Sequence, residues 1–159
     1  VPILAIAPMI VIWFGRVGAS NLAVAVIAAY LTFFPVTIYT LRGLVSVPTT
    51  ALELMQTYAA SKLQILWKLR LPNAVPQIFT ALKIASTASV VGAIIGELPS
   101  GAQDGLGIAI LNFARYYNQS PPRLWATIFI AGLVGILFFT VIAVIERLVV
   151  RWKPESAET

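Results

Sequence analysis

The side chains that usually carry out catalysis are scarce in this chain. Its 159 residues include no histidine and no cysteine, so an imidazole base, a thiol nucleophile and a His–Cys zinc site are excluded. Six acidic residues are scattered over loops and termini, whereas an acid–base or metal site needs side chains that converge. Gly101, Gly105 and Gly107 are not followed by the lysine of a phosphate-binding loop. We expect no catalytic residue and no metal site.

The composition indicates a membrane protein. Hydrophobic residues make up 59% of the chain and charged residues 11%, and the mean hydropathy is +0.90. A soluble protein carries about 25% charged residues, so a soluble globule is excluded. The net charge of +5 is better explained by orientation in a lipid bilayer than by nucleic-acid binding, and we expect no nucleic-acid partner. The chain opens at Val1 inside an apolar run, which predicts a fragment truncated at its N-terminus.

Long uncharged runs predict the membrane-crossing helices, since a span needs about 20 apolar residues. They lie at about residues 1–14 (the tail of a span), 21–42, 73–96 and 124–146. Pro35 should kink the second span, and the stem of Lys83 should carry its ammonium group toward an interface. The predicted fold is an all-α polytopic transmembrane helical bundle.

Basic residues predict the orientation, because lysine and arginine accumulate on the cytoplasmic side. Three full spans place residues 43–71 and the tail 151–159 on one side, and the segment 97–122 on the other. The first side has eight basic residues against three: Arg42, Lys62, Lys68, Arg70, Lys83, Arg147, Arg151 and Lys153 against Arg16, Arg115 and Arg123. We therefore assign residues 43–71 and the C-terminus to the cytoplasm.

Small residues predict which span is packed among other helices. The third span has them at every fourth position and on an adjacent row: Ala81, Ala85, Ser89 and Ala93, with Ala88, Gly92 and Gly96. Such rows let helix backbones approach closely, although an alanine-rich membrane composition alone would also produce them. The last span has only Ala131 and Gly135 at this spacing, so we expect it to face lipid.

The cytoplasmic segment 50–71 has more helix-forming content than a connecting loop needs. Thr50 and Glu53 have the spacing of a capping box, which predicts a helix start there. A second, basic helical pattern should end at Leu71-Pro72, since proline restricts the residue before it. One interpretation is an amphipathic helix lying on the inner leaflet.

The spacing within this segment resembles the cytoplasmic loop of binding-protein-dependent ABC importer permeases. That pattern runs Glu-Ala-Ala, three residues, Gly, nine residues, Ile, one residue, Leu-Pro. It is matched without a gap by Glu53-Leu54-Met55, Ala59, Leu69 and Leu71-Pro72. Alanine replaces the glycine at position 59 and does not readily adopt a positive φ, so we expect a tighter or more continuous turn there.

Other segments resemble the nitrate, sulfonate, taurine and thiamine-precursor branch of these permeases. Pro8 is followed by Trp13-Phe14-Gly15, and Gly96-Glu97 is followed by Gly105-Leu106-Gly107. The resemblance extends from about residue 1 to about residue 150. It implies the fold of a type I ABC importer permease, with a permease domain over residues 1–150.

The resemblance implies a transmembrane subunit, not an enzyme, in the bacterial inner membrane. Implied partners are ATPase subunits that hold ATP and Mg²⁺ in place of any cofactor on this chain, a second permease copy in a homodimer, and an external solute-binding protein. Residues expected to couple to the ATPase are Glu53, Leu54, Met55, Tyr58, Ala59, Ala60, Leu69, Leu71 and Pro72. The alternative is a secondary transporter or channel subunit without an ATPase.

Candidate residues of the translocation path or its gate lie toward the outer side. They are Ser89, Gly92, Gly96, Glu97, Gly105 and Gly107. For Glu97 the alternative is a carboxylate simply solvated at the outer interface. The run 105–111 is too short to span and too apolar for a wet loop. We expect a short helix that dips back between subunits, with its glycines allowing close contact.

Overall fold

The computed structural model describes residues 3–16, 18–100, 104–119 and 121–150, and every regular element in these ranges is helical. The predicted tail 151–159 lies outside them. The helices are α1 Ile3–Arg16, α2 Ser20–Val45, α3 Thr49–Thr57, α4 Lys62–Ile65, a π-helical turn Leu66–Arg70, α5 Leu71–Glu97, α6 Leu106–Arg115 and α7 Pro121–Val149. The predicted all-α class is confirmed.

Three helical stretches in the described residues are long and apolar enough to cross a membrane. They are Leu22–Val45, Lys62–Glu97 and Pro121–Val149. They overlap the three full spans expected from the sequence, at residues 21–42, 73–96 and 124–146. α2 passes through Pro35 as one helix, so this proline does not end the span. α1 is shorter and packs Ala7 and Val11 against α2.

Close packing of α2 against α5 forms the centre of the described structure. The two helices run antiparallel, with Gly43 next to Ala74 near one end and Gly96 next to Val24 near the other. A Cβ atom added at Gly92 would lie 2.8 Å from the Cα of Ala28, closer than real Cβ atoms approach. The buried residues of α5 are Ala74, Ala81, Ala85, Gly92 and Gly96. The expectation that small residues bury this helix is thus met.

α7 packs along α5 and leaves most of its own surface exposed. Its buried residues are Thr127 and Ala131. Toward the end of α7, Glu146 Oε2 accepts a hydrogen bond of 2.8 Å from Lys83 Nζ, which forms an ion pair with α5. Lys83 therefore reaches a carboxylate on a neighbouring helix, a partner that was not expected from the sequence.

The helix does not end at Leu71-Pro72, and that expectation was wrong. Residues Lys62–Glu97 form one helical stretch that passes through the π-helical turn. In this turn the N–H of Leu71 donates to the carbonyl oxygen of Leu66, five residues back. The wider turn accommodates the ring of Pro72, which has no N–H to donate and would crowd the carbonyl four residues earlier in a regular α-helix.

The start of α3 also differs from expectation. The helix begins at Thr49 with Pro48 as its N-cap, and no side chain accepts a hydrogen bond there. The predicted capping box of Thr50 and Glu53 is therefore wrong. The N–H groups of Ala51 and Leu52 donate to the carbonyl oxygen of Pro48, both at 3.2 Å, so the first turn closes on the backbone.

The end of α3 is a Schellman motif built on alanine. Ala59 has a φ of +52°, the left-handed conformation that usually requires glycine. Its N–H donates to the Gln56 carbonyl at 2.8 Å, and the Ala60 N–H donates to the Met55 carbonyl at 3.0 Å. The expectation of a tighter or more continuous turn without a positive φ was wrong, because these two bonds outweigh the conformational cost of alanine, about 1–2 kcal/mol.

We expect Gly92→Ala to destabilise the protein by about 1–3 kcal/mol, because the new methyl group would collide with the α2 backbone. The matched control is Gly135→Ala in α7, where nothing lies within 4 Å of the added Cβ. There the better helix propensity of alanine should be neutral or slightly stabilising. Thermal unfolding of the purified permease measures both. Equal shifts for the two variants would contradict the close α2–α5 contact.

We expect Ala59→Gly to stabilise the end of α3 by about 1 kcal/mol, since glycine adopts the left-handed conformation without steric cost. Hydrogen exchange of the α3 amides should become slower. Ala51→Gly, inside the same helix, is the control and should speed exchange by about the same free energy. The assignment fails if both glycine variants change exchange in the same direction.

Candidate functional site

The segment between α2 and α5 is anchored at its base and exposed along α3. Asn73 Nδ2 donates to Ser46 Oγ at 3.3 Å and lies 3.5 Å from the Gly43 carbonyl oxygen, so it joins the end of α2 to the start of α5. Between these points α3 has no buried residue. A short helix therefore projects from the α2–α5 pair and presents its side chains outward.

Leu54 of α3 and Tyr58, the C-cap residue of this helix, form an exposed apolar pair. They are four residues apart, on one face of the helix, and their exposed fractions are 57% and 77%. The backbone beneath them is well bonded, since Thr57 Oγ1 donates to the carbonyl oxygen of Glu53 at 3.0 Å. An exposed apolar pair on a short helix with hydrogen-bonded ends can pack into an apolar pocket of a partner protein.

The other predicted coupling residues divide by burial. Glu53 and Ala59 are exposed on or next to α3, whereas the following residues are half-buried: Met55, Ala60, Leu69, Leu71 and Pro72. The half-buried residues belong to the Schellman motif and to the helical stretch that leads into α5. The geometry thus separates residues that a partner can touch from residues that hold the segment in place. Their part in coupling stays a prediction.

A capping box closes the start of α4, and it was missed in the sequence. Ser61 N–H donates to Gln64 Oε1 at 2.8 Å, and Ser61 Oγ accepts from the Gln64 N–H at 3.4 Å. The Ser-x-x-Gln spacing is the signal that would have identified it.

A groove of about 390 Å³ lies between α3 and the helical stretch that follows it, formed by α4 and the π-helical turn. It is lined by Leu52, Gln56, Lys62, Ile65, Leu66 and Arg70.

At the opposite end of α5, Glu97 holds the start of α6. Its Oε2 accepts a hydrogen bond of 2.6 Å from the N–H of Gly107, one of the otherwise free donors in the first turn of α6. A carboxylate at this end also complements the helix dipole. Gly105 has a φ of +144°, and a Cβ there would meet the Glu97 carboxylate. A Cβ at Gly107 would lie 2.5 Å from the Ile94 carbonyl oxygen.

Three of the predicted path residues therefore meet, and three lie elsewhere. Glu97, Gly105 and Gly107 form one contact, and the expected short helix is present as α6. Gly92 and Gly96 are buried against α2, and the Ser89 hydroxyl donates to the Ser86 carbonyl oxygen at 2.8 Å. Whether any of these residues lines a path, and whether α6 re-enters the membrane, stay predictions. In the described part of the chain, no cluster of three or more His, Cys, Asp or Glu is placed to hold a metal ion.

Comparison with known proteins gives relatives along the whole chain. It is 38% identical over 98% of its length to the formylaminopyrimidine transport permease protein ThiX of Halalkalibacterium halodurans, of which it covers 60%. It is 30% identical over 96% of its length to the riboflavin transport system permease protein RibX of Chloroflexus aurantiacus, of which it covers 55%. Identity to the Escherichia coli taurine transport system permease protein TauC is 29% over 98% of this chain and 54% of TauC.

The chain thus spans little more than half the length of these relatives. No solved structure matches it. The relatives confirm the branch that the segments around Trp13 and Glu97 indicated. The family model of the binding-protein-dependent transport system inner membrane component matches residues 1–151. The chain therefore belongs to the family of binding-protein-dependent transport system inner membrane components.

Proposed function

We propose that this chain belongs to the transmembrane subunit of an ATP-driven importer and contributes to the path of a small solute that an external binding protein delivers. The observation that carries the proposal is the exposed helix α3, whose Leu54 and Tyr58 project from a segment that leads into a membrane-crossing helix. Family membership supports the class of protein. Membership of this family favours an ATP-driven importer subunit over a secondary transporter or a channel.

The geometry suggests how motion of α3 would reach the membrane. After the turn at Ala59, the chain enters the continuous stretch Lys62–Glu97, so α5 is displaced together with its cytoplasmic end. α5 is packed against α2 at glycine contacts that leave no room for sliding without rearrangement. We infer that closure of an ATPase on α3 rotates α2 and α5 together as a rigid body.

The proposed assembly contains two ATPase subunits, two copies of the permease and one external binding protein. ATP and Mg²⁺ would be held by the ATPase subunits. Residues 43–71 and the C-terminus would lie in the cytoplasm, which the distribution of basic residues supports. α6 would then lie at the external side, within reach of the solute pathway.

For the solute we propose the class that includes pyrimidine vitamin precursors and small oxyanions such as sulfonates or nitrate. The relative named for formylaminopyrimidine has 38% identity, against 29% for the taurine permease, which favours a heterocyclic precursor. Uptake of labelled formylaminopyrimidine and taurine by cells that express the complete transporter would distinguish the two.

We expect Leu54→Asp to uncouple ATP hydrolysis from transport, because a charged side chain in an apolar socket is costly to desolvate. In proteoliposomes, solute uptake should fall at least about tenfold while basal ATP hydrolysis persists. Leu63→Asp is the control: Leu63 lies in the same cytoplasmic segment, outside α3, and is 69% exposed.

The proposal for α3 would be contradicted by normal coupled uptake in Leu54→Asp at normal expression. An equal loss in Leu63→Asp would show that a charge anywhere on the segment suffices, and would remove the special role of α3. Met55→Asp is a weaker test, since Met55 is half-buried and its carbonyl oxygen takes part in the Schellman motif.

We further propose that Glu97 fixes α6 at the outer end of the path. Glu97→Ala removes the acceptor of the Gly107 N–H and should loosen α6 by about 1 kcal/mol, the usual value of a helix cap. Single cysteines along residues 105–111 should then label faster and more uniformly than in the parent protein. Asp104→Ala, an exposed acidic residue of the same segment, should leave labelling unchanged. Uniform, complete labelling in the parent protein would contradict the proposal that α6 is partly protected from the aqueous reagent.

A further inference from the structure

A groove beside the Lys83–Glu146 ion pair differs from the other surfaces of the membrane-crossing helices. It lies between α5 and α7 and has a volume of about 440 Å³. Its lining combines apolar and charged side chains: Pro76, Lys83, Phe139, Ala143, Glu146, Arg147 and Val150. None of these residues belongs to the coupling segment or to the contact at Glu97.

The charged part of the groove is net positive. Lys83 and Glu146 neutralise each other at 2.8 Å, with 22% and 23% of their side chains exposed. Arg147 is exposed and has no acidic partner among residues 3–16, 18–100, 104–119 and 121–150. The ammonium group of Lys83 has three donors, of which Glu146 takes one. The groove therefore offers an unpaired guanidinium and spare ammonium donors to an anion.

The groove lies where α7 leaves the apolar layer. Residues 124–145 are uncharged, and Glu146 and Arg147 are the first charged residues after them. Phe139 and Ala143 lie about two turns and one turn deeper along the same helix. An occupant would meet cations at the membrane boundary and apolar walls inside the membrane. Phosphate and acyl chain are arranged in this order in a phospholipid.

We propose that this groove binds an anionic phospholipid of the inner leaflet, with the phosphate at Arg147 and Lys83 and an acyl chain along Phe139 and Ala143. Charge complementarity favours an anionic over a zwitterionic headgroup, as for basic pockets at the cytoplasmic side of other membrane proteins. Four of the seven lining residues belong to α7, a helix with few buried residues. The proposal does not rest on the solute or on an ATPase partner.

Glu146 and Arg147 should have opposite effects on the affinity of this groove for an anionic lipid. Its carboxylate holds Lys83 at the wall of the groove but also opposes the charge of a phosphate. An amide at this position would still accept the hydrogen bond from Lys83 while removing the negative charge. Two conservative substitutions in neighbouring residues should therefore change lipid affinity with opposite signs.

The experiment titrates the full-length permease in mild detergent with a short-chain phosphatidylglycerol and measures the first bound lipid by native mass spectrometry. Arg147→Gln should weaken binding about fivefold, the effect of one basic residue near an anionic group, and Glu146→Gln should strengthen it by about as much. Phosphatidylcholine binding should change little in either variant. Inorganic phosphate should not displace the lipid, because it lacks the acyl chain.

The matched control is Arg123→Gln, an exposed arginine near the other end of α7. It should bind phosphatidylglycerol as the parent protein does. An equal loss in Arg123→Gln and Arg147→Gln would show general electrostatic attraction and overturn the site. Unchanged binding in Arg147→Gln would also overturn it, as expected if another helix or a second copy covers the groove. Weaker binding in Glu146→Gln would contradict the opposing role of its carboxylate.

Discussion

Close approach of the α2 and α5 backbones is the constraint on which the other helices depend. In lipid, the hydrophobic effect does not drive helices together, so their association relies on packing at short distance. Gly92 against Ala28 and Gly43 against Ala74 provide that distance, and no larger side chain fits at either glycine. The other helices attach to this pair by local contacts: α1 through a small apolar cluster, α6 through Glu97, and α7 through Lys83.

In the described residues, two irregular backbone features lie beside this pair, at the end where α2 leads into α3. The left-handed Ala59 ends α3, and the π-helical turn Leu66–Arg70 admits Pro72 without breaking the helix. Both features carry a conformational cost, and both keep α3 closed and α5 continuous. A flexible connection would absorb a displacement of α3, whereas a closed turn followed by an unbroken helix passes it on. Both features therefore agree with the proposed role of this segment in transmitting motion.

The sequence allowed the long apolar helices and the packed helix to be predicted, because both follow from counting residues. The lengths of the apolar runs identified the three long helices. Small residues at every fourth position identified α5 as a buried helix. The predictions that failed were local rules overridden by neighbouring residues. Leu71-Pro72 did not end a helix because a π-helical turn made room for the ring, and Ala59 took a positive φ because two hydrogen bonds held it there.

Partners distant in sequence could not have been predicted in this way. Lys83 and Glu146 are 63 residues apart, and the bond from Gly107 to Glu97 depends on how the loop between α5 and α6 turns. In the sequence alone, each of the three charged residues resembles an ordinary charge at the membrane interface. By contrast, the capping box at Ser61 could have been predicted from its Ser-x-x-Gln spacing, and it was missed.

These distant pairs also bear on the proposed function. A transporter driven by an ion gradient needs ionisable groups within the membrane that change partner or protonation during the cycle. In the described residues, two ionisable side chains of α5 have structural partners: Lys83 binds Glu146, and Glu97 binds the first turn of α6. Breaking either contact would leave a poorly solvated charge or a free helix end, which makes both unsuited to repeated exchange. Neither contact therefore resembles an ion-coupling group, which agrees with the proposal that an ATPase supplies the energy. In the proposed importer, the exposed face of α3 is the surface on which this ATPase would act.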